Sequence, residues 1–298
     1  MKLCLSIEIQ EGLTYEQTLA LARAAEDAGF DAALLAEHYA ASGGGPDTLA
    51  ADAWIYLAAL ARGTERIRLG TLVSPVTFRH PSVLAKLAAS LDHLSGGRAE
   101  LGLGAGWLES EHAAYGFPFP PAAERVDLLE EQLQVIRGLW TQDPFSHPGP
   151  VYRLERASFT PKPLQQPHLP LIVGGRPGSK RLPRVAARCA DEYVITLPTP
   201  EECRAVRVVL GDTCALSAFT YACMGPTAAV VGRRLVRLTA ELRPVMRREE
   251  RWIVGTPDEA AERLRALRDA GVARLFVAAW HEEHRELPEL LQAAAAQA

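Results

Sequence analysis

The sequence lacks any apolar run of the ~18 residues that a membrane span requires. It has no CxxC pair, no HExxH and no other spacing of histidine, cysteine and acid that would hold a metal. No GxSxG nucleophile elbow is present. Long basic runs are missing and the net charge is −4, which excludes nucleic acid as a partner. The five cysteines (Cys4, Cys189, Cys203, Cys214, Cys223) are odd in number and unpatterned. In a domain this large they imply buried free thiols in a reducing compartment. No repeat of fixed period occurs beyond an alternation of strand and helix patterns. The opening MKLCLSIEIQ reads as a strand bounded by polar residues, not as a signal peptide. The expectation is a soluble, cytoplasmic protein with no membrane partner.

What is present is a regular rhythm over 298 residues. Apolar β-type runs at Leu3 to Ile9, Asp31 to Ala36, Ile67 to Val73, Ala99 to Leu103, Leu171 to Gly174, Tyr193 to Leu197, Thr213 to Met224 and Ala273 to Ala279 predict eight strands. Helical spacing predicts helices over Tyr15 to Ala28, Pro81 to Leu94, Glu124 to Leu139, about Ser179 to Cys189, Pro226 to Leu242, and Leu287 to the end. A further helix is expected to start at Asp47, after the loop Gly43-Gly44-Gly45-Pro46, and to run through about Ala61. Another is marked by Thr256 as cap, Pro257 at its first position and Gly271 as its stop. The proline-rich stretch at about 141–170 breaks the rhythm and reads as an insertion with a small hairpin over one end of the barrel. Eight strand–helix units predict a single α/β domain over 1–298, a (β/α)8 TIM barrel. A doubly wound sheet is disfavoured because no GxGxxG follows the first strand.

A barrel places its chemistry at the carboxyl ends of its strands. Glu37-His38 stands at the end of the second. An imidazole there either carries a proton near neutral pH or braces a loop, and Glu37 either orients it or meets substrate. Gly104-Ala105-Gly106 ends the fourth strand, where small residues permit close backbone approach to a ring. Trp107 follows as a pocket wall or a plain rim aromatic. Ser110 and Glu111 come next, within reach of substrate or at the solvated start of a helix. Gly174-Gly175-Arg176 opens a Gly-rich, basic turn running through Lys180 and Arg181 into a helix amino terminus, which favours an anion such as phosphate.

The runs GTLVSPVTFRHP, DHLSGGRAELGLGAGW and the EH…YG tail lie within one stretch, Arg66 to Gly116. Together, in order and spacing, they resemble the luciferase-like monooxygenase superfamily, and more closely its branch using the deazaflavin coenzyme F420. The resemblance covers nearly the whole chain and weakens between Thr199 and Arg251. It implies F420 as cofactor, with FMN as the alternative. It implies a non-prolyl cis peptide within Leu72-Val73-Ser74, backing the ring, and a phosphate site at Gly174-Gly175. It also implies an acid–histidine pair at Glu37-His38. Many deazaflavin members carry Asp-His there, and Glu-His also occurs in flavin-dependent monooxygenases. The implied activity is hydride transfer between the deazaflavin C5 and a small organic substrate: an imine, activated alkene, aldehyde or alcohol. The alternatives are an FMN-dependent monooxygenase using dioxygen and a catalytically silent barrel. A homodimer is expected.

Overall fold

In the computed structural model, residues 1–41, 47–241 and 249–298 are described. The strands are β1 (Lys2–Ile7), β2 (Ala32–Leu35), β3 (Arg68–Pro75), β4 (Ala99–Gly104), β5 (Phe145–Pro148), β6 (Arg153–Ala157), β7 (Leu171–Gly175), β8 (Glu192–Thr196), β9 (Ala215–Thr220), β10 (Ala222–Met224), β11 (Ile253–Gly255) and β12 (Arg274–Ala279). The helices are α1 (Tyr15–Asp27), α2 (Ala53–Gly63), α3 (Pro81–Ser95), α4 (Glu109–Tyr115), α5 (Ala122–Thr141), α6 (Leu182–Cys189), α7 (Pro200–Leu210), α8 (Ala228–Glu241), α9 (Pro257–Asp269) and α10 (Leu287–Ala295). Eight strands close in the order β1-β12-β9-β8-β7-β4-β3-β2, every pairing parallel. This is the TIM barrel that the strand–helix rhythm predicts.

Alternation along each strand sorts its side chains between two cores. Leu3, Leu5 and Ile7 of β1 join the outer core, between barrel and helices. Cys4 faces inward, where it packs with Leu34, Ile172, Val194 and Phe276. Full burial of one such large apolar side chain is worth roughly 1.5–3 kcal/mol. Below this layer, at the amino-terminal end, charges fill the barrel. Arg274 reaches Glu100 at 3.0 Å, Glu192 at 2.9 Å and Asp31 at 3.2 Å, and Arg68 also pairs with Glu100. At the opposite end the same inward parity leads to the mouth.

Local signals start the helices. Thr14 and Gln17 form a capping box on α1, and Thr199 and Glu202 do the same on α7. The helix after β2 is capped by Asp52, whose carboxylate accepts from the N–H of Trp54 and Ile55, and not by Asp47. Asp52 also holds Arg79, so it is fixed from two sides while Asp47 is exposed. The loop at Gly43 to Pro46 and the end of the helix expected to reach Leu242 lie outside the described residues.

Two further expectations are corrected. The stretch Thr213 to Met224 divides after Thr220, and β10 leaves the barrel to pair with β11. The helix α7 falls where no helix was assigned. The β5–β6 hairpin does not cover a barrel end. It lies along the outer flank of α5, where Glu131 accepts from the N–H of Val151 and Tyr152 and Phe145 fills the gap at Gly138. The chain then runs past α3, with Lys86 and His93 donating to the carbonyls of Thr160 and Lys162.

Candidate active site

His38 follows β2 at the mouth, 13% exposed, with Nδ1 3.0 Å from an oxygen of Glu111. A carboxylate only accepts, so Nδ1 carries the hydrogen and Nε2 is left for a proton exchanged in the mouth. The acid that orients the imidazole is therefore Glu111, and not its neighbour Glu37. Glu111 is neither a loop residue nor solvated: it lies on α4, 1% exposed. Its other oxygen accepts from the N–H of Tyr39 and of Ala40, the latter at 3.2 Å. Burial alone would raise its pKa, but the hydrogen bonds and charge of His38 and the backbone donors hold the carboxyl below its ordinary range.

The α4 helix is held over β2 by aromatic packing. The tilted rings of Tyr39, Phe78 and Phe117 pack with centroids 4.8–5.6 Å apart, and the Tyr115 hydroxyl donates to the Tyr39 carbonyl at 2.8 Å. His112, also buried, donates from Nδ1 to the Leu108 carbonyl and accepts at Nε2 from Thr77 at 2.6 Å.

Glu37 turns away from His38. Its carboxylate pairs with Arg79 and accepts from the Ser74 hydroxyl and, at 3.3 Å, the Trp54 indole. Burial pushes it above the ordinary carboxylate range, against the pull of Arg79 and Ser74. Arg79 also binds Asp52 at 2.9 Å and the Tyr39 hydroxyl at 2.8 Å. This network ties the end of β2 to the end of β3 and the start of α2.

At the end of β3 the Leu72–Val73 peptide is cis, and the pairing with β4 shifts between Thr71 and Ser74. Val73 takes up the space that nearby glycines leave. A Cβ at Gly104 would lie 2.5 Å from its side chain, and one at Gly174 would lie 3.0 Å away. Those two glycines thus serve the packing of Val73 rather than leaving an open cradle. Gly106 adopts φ 79°, a left-handed conformation, and Arg125 fixes the preceding loop by donating to the Ala105 carbonyl at 2.9 Å.

Trp107 links the two halves of the mouth. It meets His38 edge-on at 5.7 Å, and the Arg176 guanidinium lies 6.0 Å from its ring. Arg176 is exposed and forms no ion pair among the described residues. Arg181, by contrast, is engaged by Asp127 and the Ala123 carbonyl. Gly175 sits directly on the buried Tyr193 hydroxyl, which has no hydrogen-bond partner among the described residues: a Cβ would come within 2.2 Å of it. Ser110 stands on the exposed side of α4 and is not brought to His38. The loop thus offers Arg176, the open Gly178 and the start of α6, while Trp107 and His38 stand beside it. That set fits an anionic, ring-bearing cofactor.

Sequence reasoning passed over Arg79, which the FRHP run contains, and assigned Glu111 to substrate. The signal for Arg79 was a cation inside the FRHP run to which no role was given. For Glu111 it was an acid beside an aromatic-rich segment. Glu8 was also missed, although counting by two from the inward Cys4 places it on the inner face. His80 caps α3, its Nδ1 accepting from the Ser82 N–H at 3.2 Å.

The luciferase-like monooxygenase family profile matches residues 2–208. An F420-dependent glucose-6-phosphate dehydrogenase from Amycolatopsis mediterranei is 28% identical over 306 aligned positions, 89% of each chain. An FMNH2-dependent dimethylsulfone monooxygenase from Pseudomonas putida is 35% identical over 173 residues, 58% of this chain and 46% of that protein. The chain spans about half the length of several curated relatives it matches, among them uncharacterized mycobacterial proteins 39% identical over 145 residues. An F420-dependent secondary alcohol dehydrogenase, solved with an F420–acetone adduct, superposes with a TM-score of 0.81 at 18% identity over 98% of each chain. Among the described residues no helix is long and apolar enough to cross a membrane, and no group of three or more His, Cys, Asp or Glu could hold a metal.

Proposed function

The chain belongs to the luciferase-like monooxygenase family, and from that premise we propose that it is an F420-dependent oxidoreductase acting on a small organic substrate. The observation that carries this reading is the His38–Glu111 pair at the mouth. Two-electron transfer to or from an alcohol, aldehyde, imine or activated alkene must be matched by movement of a proton. A carboxylate-held imidazole is suited to it. Bound deazaflavin supplies the hydride chemistry.

The chain's own residues bind, orient and exclude water. Arg176 and the turn from Gly174 to Arg181 offer charge and helix-start N–H groups to a phosphate. Trp107 walls the space between that loop and His38. Glu37, Arg79 and Ser74 fix the end of β3, against which the family places the ring. Glu111 keeps the Nδ1 hydrogen in place, so that His38 exchanges protons through Nε2.

The cofactor assignment is supported by the F420-dependent relative, which aligns with nearly the whole chain. A second reading, an FMN-dependent monooxygenase, is supported by the higher identity over a shorter segment to the dimethylsulfone enzyme. Titration of the purified protein with F420 and with FMN, followed by fluorescence, separates the two. We expect F420 to bind at micromolar concentration or tighter, about −8 kcal/mol, and FMN much more weakly. A screen of alcohols, aldehydes, imines and activated alkenes for F420 redox change then finds the substrate. Preferential FMN binding with oxygen consumption would overturn the assignment.

A further inference from the structure

The carboxylates Glu37, Glu111 and Glu8 at the mouth end of the barrel are not equivalent. Glu37 is answered by Arg79. Glu111 is answered by His38 and two backbone N–H groups. Glu8, just past the end of β1, has only neutral donors: the Ser6 hydroxyl and the Gln10 amide, each at 3.0 Å. No lysine or arginine pairs with it among the described residues.

Its placement follows from the strand. Cys4 faces the barrel interior, so Ser6 and Glu8 continue on that inner side up to the mouth. On β2 the same parity carries Leu34 and Ala36 to His38. β1 and β2 are neighbours, with Ile7 opposite Leu35, so Glu8 and His38 rise from adjacent strands towards one space. The titratable groups that act on Glu8 include His38, Glu11 in the following turn, and Tyr221 beyond β9. The end of β12, whose Ala279 carbonyl accepts from the Glu8 N–H, leads on to His281 and His284 beside Trp280. Burial dominates at Glu8 and pushes its carboxyl above the ordinary range, with the Gln10 hydrogen bond and His38 acting against it.

We propose that Glu8 is a second proton-exchanging group of this site, trading its proton with the substrate heteroatom. This rests on the hydride-transfer reading above. In the reducing direction, hydride from reduced deazaflavin carries both electrons to the substrate carbon. The carbon–heteroatom π pair moves onto the heteroatom, whose new bond to hydrogen forms as the Glu8 O–H bond breaks. The carboxylate then regains a proton from solvent by way of His38. Oxidation runs the same steps in reverse.

Glu8→Gln tests this with the full chain, because glutamine matches a neutral acid in shape. Protein carrying carboxyl-13C glutamate is titrated by NMR with and without bound F420, and the His38 imidazole is followed by 15N shifts. The wild type should show a glutamate signal that ionises above the ordinary carboxylate range and is absent from the variant, which assigns it to Glu8. The His38 midpoint should be the same in both, since a neutral group replaces a neutral group. Single-turnover oxidation of F420H2 by the substrate from the screen should slow by about 10²–10⁴-fold in the variant. A Glu8 signal that ionises with the other carboxylates, together with a lower His38 midpoint in Glu8→Gln, would overturn the assignment. So would an unchanged single-turnover rate. Failure of the wild type to bind F420 would instead sink the hydride-transfer reading.

Discussion

Replacing Glu111 tests the centre of the site, because one buried carboxylate holds His38 and two backbone donors together. Glu111→Ala leaves the N–H groups of Tyr39 and Ala40 without their acceptor. At about 1–3 kcal/mol for each buried donor left unpaired, the loss is about 2–6 kcal/mol. Glu111→Gln keeps one oxygen for those donors but loses the charge. A hydrogen bond to a charged group is worth about 1.5–3 kcal/mol and a neutral one about 0.5–1.5, so with two such donors that variant should lose about 2–3 kcal/mol. Urea denaturation across a pH series reads both. The folded carboxyl binds its proton more weakly than the unfolded one, so its stabilisation is complete above the ordinary carboxylate range. That stabilisation is lost as pH falls through the folded midpoint. The wild type should therefore show an acid limb that Glu111→Gln lacks in part. Single-turnover hydride transfer should fall as well, by up to the ~10²–10⁴-fold worth of a positioned imidazole. A Gln variant with wild-type stability, the same acid limb and an unaltered rate would refute the coupling of α4 to His38.

His38→Asn should preserve folding and F420 affinity and lower turnover by about 10²–10⁴-fold. A normal single-turnover rate would move the proton to another group. Tyr193→Phe deletes a buried hydroxyl without a partner and should raise stability by up to about 1–3 kcal/mol in thermal or urea melts. Gly175→Ala should destabilise the wild type, whose Tyr193 oxygen would lie 2.2 Å from the new carbon, and destabilise Tyr193→Phe less. Additive effects would contradict that contact. We expect a homodimer by light scattering, and a monomer mass at working concentrations would contradict it.

The barrel was legible because strand and helix periods differ and the breaks between them carry Gly, Pro and capping residues. Thr256-Pro257 located α9. The failures have local causes. Asp47 and Asp52 are both capable caps, and only the second meets Arg79 across the chain. The division of β9 from β10 depends on where the sheet curves away, which apolar content does not encode. His38 was readable from its place at a strand end. Its acid partner was not, because Glu111 lies 73 positions away and reaches it only after α4 docks through Tyr39, Phe78 and Phe117. Gly104 was read as space for a ring and Gly174 as part of a phosphate turn, yet the space at each is filled by Val73.

The ionic floor under Arg274 bears on how this scaffold can be re-engineered. Arg274 and Trp280 lie six residues apart on one strand and its extension, about 20 Å at ~3.3 Å per residue. Removing one partner of such a buried pair costs about 3–5 kcal/mol, so libraries that touch Arg274, Glu100 or Glu192 will return mostly unfolded clones. The segments 105–110 and 176–181 lie at the far end and share no hydrogen bond or ion pair with that floor among the described residues. Randomising their other positions, with the left-handed Gly106 and Gly178 and the buried Leu108 kept, should change which molecules are accepted while the folded fraction stays nearly constant, so selection for new substrates can proceed there without a prior round of stabilisation.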